Sequence, residues 1–245
     1  MILHSVQGIT DTDSWLVKAP PAKGKAHWKP GRSAYELAAY MTKSLDTAPA
    51  EIEQALRDAG VNTSQCFDWD GEVVTDFAGQ GLGRGFGRHH DAALWNDDVF
   101  VGIEAKADEP LDRTVSELMS GASGNRMKRM NGLCRMIWGD DAANHPEIRY
   151  QLLTALGGVL LEANGCTEKR GGKKKKAILL ILTFLKKYPD GRPYTSSDKV
   201  DGNKADVKRF LNSLPAYDPH TGRVKTAFGD AHDIDVYVRH ITISG

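Results

Sequence analysis

Three side chains in one short stretch of the chain, Asp91, Glu104 and Lys106, could form a hydrolytic site that uses a metal ion. The stretch from Arg88 to Ala107 predicts a β-hairpin with turn residues at Asn96-Asp97-Asp98. Because side chains alternate along a strand, Glu104 and Lys106 share one face, and strand pairing should bring Asp91 to it. Two adjacent carboxylates repel each other unless a cation lies between them, and such oxygen ligands suit Mg²⁺ or Mn²⁺. A lysine beside the ion could orient an attacking water and offset charge on a phosphate.

Asp91 and Glu104-Ala105-Lys106 resemble the signature of the PD-(D/E)XK nuclease superfamily, in which an aspartate opens one strand and Glu-x-Lys lies on the next. The proline that precedes the aspartate in the family is His90 here. The resemblance implies a nuclease that hydrolyses phosphodiester bonds, with DNA favoured over RNA and a bacterial role in restriction, repair or defence. It implies that Asp91, Glu104 and the Ala105 carbonyl bind Mg²⁺, with Mn²⁺ as a substitute, and that Lys106 positions the nucleophile.

The resemblance also implies the fold, an α/β restriction-endonuclease-like three-layer sandwich with a central mixed β-sheet flanked by helices. Hydrophobic periodicity supports the α/β class separately, because it predicts helix, strand, strand, strand, helix and strand over residues 33–185. We expect a single nuclease-like domain, with an extended N-terminal arm over 1–32, the nuclease core over 33–185 and a C-terminal extension over 186–245.

Two further polar residues are candidates for the site. Glu36, on the first predicted core helix, resembles an additional acidic metal ligand found in some members of the superfamily. Ser33-Ala34-Tyr35-Glu36 also fits a capping box, in which Glu36 would only reach back to the Ser33 backbone. Gln151 opens the long helix after the motif strand, where it could face the site or lie exposed on the helix surface.

Nucleic-acid contacts are expected from a histidine and from two basic segments. His90 lies beside the carboxylates and could contact phosphate, although such histidines are more often structural. Arg126 and Arg129 lie in a basic helical segment, and Lys173 and Lys174 precede the most apolar strand. Basic runs are usually solvated, but these two could bind a phosphate backbone.

The glycine-rich stretch from Gly79 to Gly87 predicts a mobile loop that could close over a nucleic-acid strand. It does not predict a phosphate cradle, since no G-x-G-x-x-G spacing closes within it and a strand, rather than a helix, follows.

Composition limits the classes of protein but does not select one. Lys plus Arg and Asp plus Glu are 32 each, so attraction to nucleic acid would have to come from local patches. The 3 cysteines lack paired metal-ligand spacing, which favours reduced thiols and a cytoplasmic protein. No secretory signal or membrane span is expected from the N-terminal residues or the short apolar runs. Double-strand cleavage commonly needs two active sites, a requirement that a homodimer would meet.

Two other functions compete with a nuclease. The chain could be a catalytically silent module of the same fold that binds nucleic acid or serves as a scaffold. The motif could also be coincidental, with Glu104 and Lys106 forming a surface ion pair on a domain that binds a small molecule.

Overall fold

In the part of the chain that the structure describes, seven strands form one mixed sheet, which joins segments from the beginning to the end of the chain. The computed structural model describes residues 1–22, 24–44, 46–85, 87–167, 170, 172–187, 191–194, 196–228 and 234–244. The strands are β1 (Ile2–Ser5), β2 (Cys66–Thr75), β3 (Arg88–Trp95), β4 (Val99–Lys106), β5 (Lys176–Leu185), β6 (Arg223–Val224) and β7 (Val236–Ser244). The α-helices in the described residues are α1 (Thr12–Lys18), α2 (Ser33–Met41), α3 (Ala50–Asp58), α4 (Val115–Met119), α5 (Gly124–Trp138), α6 (Tyr150–Ala163) and α7 (Ser197–Ser213).

The strand order is β1-β2-β3-β4-β5-β7-β6. The centre of the sheet contains strands that pair with their neighbours in sequence and one crossover connection. β2, β3 and β4 form an antiparallel meander, and β5 lies parallel to β4. A parallel neighbour requires a long connection, which α4, α5 and α6 supply. β1 and β7 extend the sheet in parallel with β2 and β5 respectively.

Helices cover both faces of this sheet. One core lies between the sheet and α1, α2 and α3, on a side we call the α1 face. A second core lies between the sheet and α4 to α7, on a side we call the α6 face. Both faces of β5 are therefore covered, which explains why Ala177 to Phe184 is a continuous apolar run rather than an alternating one. The predicted α/β class with a mixed sheet is confirmed, and the layers are compatible with a three-layer sandwich.

The N-terminal segment is not the extended arm that the sequence suggested. It contains β1, which pairs with β2, and α1, which is capped by Asp11 and buries Trp15. Trp15 is 1% exposed and packs on Trp69 with ring centroids 5.5 Å apart. The prolines and lysines in this segment obscured a helix of only 7 residues. The prediction of an extended arm over 1–32 was wrong, because β1 is a strand of the common sheet and residues 12–18 form a helix.

The C-terminal segment also belongs to the layered structure. β7 pairs along β5 over nine residue pairs, from Ala177 with Val236 to Leu185 with Ser244. α7 packs its Val207 and Phe210 into the core on the α6 face. The predicted C-terminal extension over 186–245 therefore contributes a helix to the core and a strand to the common sheet.

Candidate active site

The site forms where β3 and β4 separate at the open end of their hairpin. The paired residues run from Trp95 with Phe100 to Ala92 with Ile103. One position further on, the Asp91 carboxylate accepts a hydrogen bond from the backbone N–H of Ala105 at 2.7 Å. A side-chain oxygen therefore takes the place of a backbone partner at this point, and it fixes the aspartate against β4.

The regular alternation of side chains is interrupted at this position. Ala92 belongs to the core on the α1 face, whereas His90 packs against Gly158 of α6 on the opposite face. Residues two apart on a regular strand would share a face, so the pleat is broken at Asp91. On β2 the facing residue is Glu72, which has a left-handed φ of 49°. The carboxylates of Asp91 on β3 and Glu72 on β2 thus both lie where the strand geometry is irregular.

Glu104 lies beneath the cleft and is fully buried. Its carboxylate lies 3.0 Å from the Lys106 amine and forms an ion pair with it. It also pairs closely with the Arg88 guanidinium and accepts a hydrogen bond from the side-chain amide of Gln151. Gln151 in turn accepts the backbone N–H of Asp112 at 3.4 Å. A buried carboxylate needs such partners, because burial without them would strongly disfavour its ionised form.

Burial and mutual repulsion shift the pKa values of the neighbouring acids upward. Burial, followed by the Glu104 carboxylate, raises the pKa of Asp91 to about 7. Burial, followed by the Asp91 carboxylate, raises the pKa of Glu72 to about 8. Burial alone would lower the pKa of Lys106, but Glu104 and Asp91 outweigh it and raise that pKa, so the amine stays charged. The acids are therefore short of positive charge even with the lysine present.

These groups open into a cleft of about 410 Å³. Ser33 closes one wall from the start of α2, where its backbone N–H lies 3.3 Å from Glu109 and its hydroxyl donates to the same carboxylate. Polar side chains come from 9 of the 14 lining residues, which are Pro21, Ala22, Ser33, Ala34, Glu72, Arg88, His89, Asp91, Ala105, Lys106, Glu109, Pro110, Asp112 and Gln151. The structure therefore brings Asp91, Lys106 and Gln151 to one cleft, with Glu104 directly below.

The donor set fits a small divalent ion that keeps part of its water shell. No group of three or more His, Cys, Asp or Glu in the described part of the chain is spaced to hold a metal. Mg²⁺, however, commonly uses one or two protein carboxylates and completes its six positions with water and substrate. Asp91, Glu104 and the Ala105 carbonyl would supply such a set, and a cation there would offset the burial and the Glu104 charge that raise the pKa of Asp91.

Glu36 is not directed toward this cleft. Its carboxylate accepts the backbone N–H of Gly31 at 2.8 Å and pairs with the Lys186 amine at 2.9 Å. It does not make the predicted capping box either, since Arg32 is the N-cap of α2 and makes no side-chain capping bond. The predictions of Glu36 as a metal ligand and as a capping residue were both wrong, because its buried carboxylate pairs with Lys186, which is far away in the sequence.

His90 is a core residue rather than a surface ligand. It is fully buried, lies 3.1 Å from the Thr75 hydroxyl and packs edge-on against Phe100. Burial, followed by the nearby Arg88 charge, lowers its pKa well below the usual value and keeps the ring neutral. The predicted contact between His90 and nucleic acid is therefore corrected, because the pleat change at Asp91 turns this side chain inward.

The two basic segments differ in their relation to the cleft. Lys173 and Lys174 are exposed but precede the start of β5, which pairs with Val99 at the start of β4. Lys106 pairs with Thr183 at the other end, so at about 3.3 Å per residue roughly 20 Å separate them from the site. Lys173 and Lys174 therefore lie at the opposite end of these strands from the cleft.

The other basic segment contacts the glycine-rich loop that leads into β3. Arg126 is exposed at the start of α5. Arg129 is partly buried and donates to the backbone oxygens of Leu82 and Arg84 at 3.3 and 3.4 Å. The described part of the glycine-rich stretch lacks helix and strand, as predicted, and Phe86 lies outside the described residues. Arg129 thus anchors the loop that leads into β3, while Arg126 remains available on the surface.

Sequence reasoning missed several charged residues of the site, among them Arg88 and Glu72. Arg88 lies three residues before Asp91, but no motif marks an arginine there. Glu72 appeared to be an ordinary strand residue, and its left-handed φ has no sequence signal, since glutamate rarely adopts it.

The chain belongs to the DUF6946 family, a domain of unknown function, whose model matches residues 8–244. No curated protein and no solved structure matches the chain. Among the described residues, no helix is both long and apolar enough to cross a membrane.

Proposed function

We propose that this DUF6946 chain is a metal-dependent nuclease that hydrolyses phosphodiester bonds, with DNA as the favoured substrate. The observation that carries the proposal is the arrangement at the open end of the hairpin. There Asp91 and Lys106 line a polar cleft, and Glu104 lies beneath it, 3.0 Å from the lysine amine. Two carboxylates and a lysine grouped around one cleft can serve phosphodiester hydrolysis.

The proposed fold assignment is restriction-endonuclease-like. In its support, a helix precedes three antiparallel strands, and a crossover ending in α6 leads to β5 parallel to β4. This order is the one that the resemblance of the Asp91 and Glu104-Ala105-Lys106 motif implies. The irregular pleat at Asp91 adds a physical argument, because breaks of this kind in strands often redirect side chains at functional sites.

In the proposed mechanism, Asp91, Glu104 and the Ala105 carbonyl would hold Mg²⁺ or Mn²⁺, and the bound ion would supply Lewis-acid chemistry toward water and the scissile phosphate. Lys106 remains charged in the cleft, so it can orient the attacking water and neutralise charge on the phosphate. Gln151 holds Glu104 by its side-chain amide and thereby fixes the direction in which the carboxylate faces. Each of these tasks belongs to a side chain that the cleft already positions.

A catalytically silent module of the same fold is the second candidate. One observation favours it: the Arg88 guanidinium is in close contact with Glu104 and so already neutralises the carboxylate that would bind the ion. Such a module would bind nucleic acid without cutting it. Metal binding coupled to cleavage distinguishes the two.

The test is cleavage of plasmid DNA and of short single- and double-stranded DNA and RNA in Mg²⁺ or Mn²⁺. Glu104→Gln removes the carboxylate charge at nearly constant volume and should reduce cleavage by at least about 10²-fold. Glu147→Gln, an exposed position outside the cleft, is the matched control and should cut like the wild type. Wild-type protein that binds nucleic acid but never cuts it would favour the silent module.

A further inference from the structure

Arg88 occupies the position from which a cation can compete for Glu104. It is the first residue of β3, its side chain is 12% exposed, and its guanidinium touches the carboxylate oxygen that does not bind Lys106. Its Cγ packs close to Gly158, where a Cβ added to the glycine would lie 3.1 Å away. The aliphatic stem is therefore held by α6 while the charged end lies at the floor of the cleft.

The Arg88 pair is less completely bonded than a purely structural pair in the same chain. Arg170 binds both oxygens of Glu162, through Nε at 2.8 Å and through a closer Nη2 contact, and also donates to the Val74 carbonyl. Arg88 contacts Glu104 through Nη2, and its buried Nε has no hydrogen-bond partner among the described residues. A guanidinium that is not bidentate gives up less when it leaves its carboxylate.

A divalent ion and Arg88 would compete for the same buried carboxylate. Mg²⁺ lies about 2.0–2.1 Å from its oxygen ligands, so a guanidinium on the same carboxylate would face it at short range. Repulsion between those charges is large in a partly buried site. Entry of the ion should therefore displace the guanidinium. Arg88 lines the cleft, so the displaced guanidinium can move into that space.

We propose that Arg88 neutralises Glu104 while no divalent ion is bound and moves to a phosphate of the nucleic acid when the ion takes its place. This inference rests on the proposed function. Arginine suits both states, because its planar fork can bind a carboxylate or a phosphate through two N–H groups. Arg88 would then be a further catalytic residue, and the contact with Glu104 would be the resting state of an active enzyme rather than a sign of a silent one.

The test combines Mn²⁺ titration calorimetry without nucleic acid and Mg²⁺-dependent cleavage of a duplex oligonucleotide, on the full chain at pH 8. Arg88→Met keeps most of the side-chain volume and removes the charge. It should bind Mn²⁺ about tenfold more tightly than the wild type, because the competing cation is gone. It should nevertheless cut about 10²-fold more slowly, because the phosphate contact is lost. Opposite signs in the two readouts are not expected from general damage to the site.

Two other variants make the result specific. Arg57→Met removes an arginine that pairs with Glu53 on the surface of α3, and it should change neither readout. Arg88→Lys keeps the charge but loses the fork, so it should bind Mn²⁺ like the wild type and still cut more slowly. Arg88→Gln also removes the charge and repeats both readouts if Arg88→Met does not fold.

Unchanged or weaker Mn²⁺ binding by Arg88→Met would overturn the competition with the ion. Normal cleavage by Arg88→Met would overturn the phosphate contact. If the wild type binds Mn²⁺ but cuts no nucleic acid, the proposed function fails, and the Mn²⁺ titration alone decides whether Arg88 is the counter-ion of Glu104.

Discussion

The carboxylates of Asp91 and Glu104 lie side by side but differ in their surroundings. Glu104 receives donors from Arg88, Gln151 and Lys106, whereas Asp91 receives the backbone N–H of Ala105. Burial and the neighbouring Glu104 carboxylate raise the pKa of Asp91 to about 7. Without a metal ion, Asp91 therefore takes up a proton as the pH falls through about 7.

This difference predicts that metal binding depends on pH. A metal-bound carboxylate is deprotonated, so binding must release the Asp91 proton whenever the pH is below about 7. Mn²⁺ affinity should rise about tenfold per pH unit up to that value and then level off. Calorimetry from pH 5.5 to 8.5, in buffers of different ionisation enthalpy, measures the affinity and the released proton. An affinity that stays constant across this range would contradict the assignment of Asp91 as a ligand.

The raised pKa of Asp91 should also make the stability of the metal-free protein depend on pH. The folded-state pKa of Asp91 is raised above its unfolded value of 3.8, so its contribution to stability is fully present below 3.8 and is lost as the pH rises through about 7. A bound ion would offset that loss, since it stabilises the charged form.

At the residue scale, the sequence predicted the chemical types better than the contacts. The motif identified Asp91, Glu104 and Lys106, and helix position suggested Gln151, all of which the structure groups at the cleft. The sequence could not identify Arg88 as a site residue, because no motif marks an arginine at this place in a strand. Only tertiary packing makes Glu104 the partner of Arg88.

At the element scale, the site depends on how closely α6 crosses β4. A Cβ on Gly102 would lie 2.5 Å from Val159 of α6 and 2.9 Å from the His90 ring. A Cβ on Gly158 would lie 2.8 Å from the same ring. Glycine at these positions lets the helix approach the strand, and the close approach places Gln151 against Glu104.

Gly102→Ala should therefore destabilise the protein by about 1–3 kcal/mol through overpacking, and it should weaken the site that α6 supports. The matched control is Gly202→Ala in α7, where the added Cβ would meet nothing within 4 Å. That change should stabilise by about 0.5–1 kcal/mol, because alanine is the better helix former. Urea denaturation measures both free energies of unfolding. Equal effects of the two substitutions would contradict the packing argument.

Elements with strong periodicity were predicted well, and short elements were not. The hairpin of β3 and β4, the buried strand β5 and the helix α6 each carry a sustained apolar pattern. α1 has 7 residues, too few for periodicity to show, and its stability comes from burial of one tryptophan. Local signals describe local structure, whereas the irregular pleat at Asp91 depends on contacts between distant segments.

At the scale of the whole molecule, segments from both ends of the chain complete the sheet and the cleft. Pro21 and Ala22 line one wall, and Asn203 of α7 binds the loop that forms another, donating to the Glu109 carbonyl at 2.9 Å. No division into arm, core and extension describes this arrangement. The formal net charge of 0 means that nucleic acid would be attracted by local charge, such as the exposed arginine at the start of α5, rather than by the whole surface.

In the proposed function, Lys106 takes part in metal-dependent phosphodiester hydrolysis. Lys106→Met keeps the apolar stem and removes the amine that lies 3.0 Å from Glu104. Lys173→Met is the matched control, because that lysine is exposed and lies at the opposite end of the sheet.

The most direct measurement is the rate of DNA cleavage at saturating Mn²⁺, together with the Mn²⁺ affinity of each protein. We expect Lys106→Met to bind Mn²⁺ and to cut about 10²–10³-fold more slowly than the wild type, while Lys173→Met cuts normally. Cleavage by Lys106→Met at the wild-type rate would contradict the account.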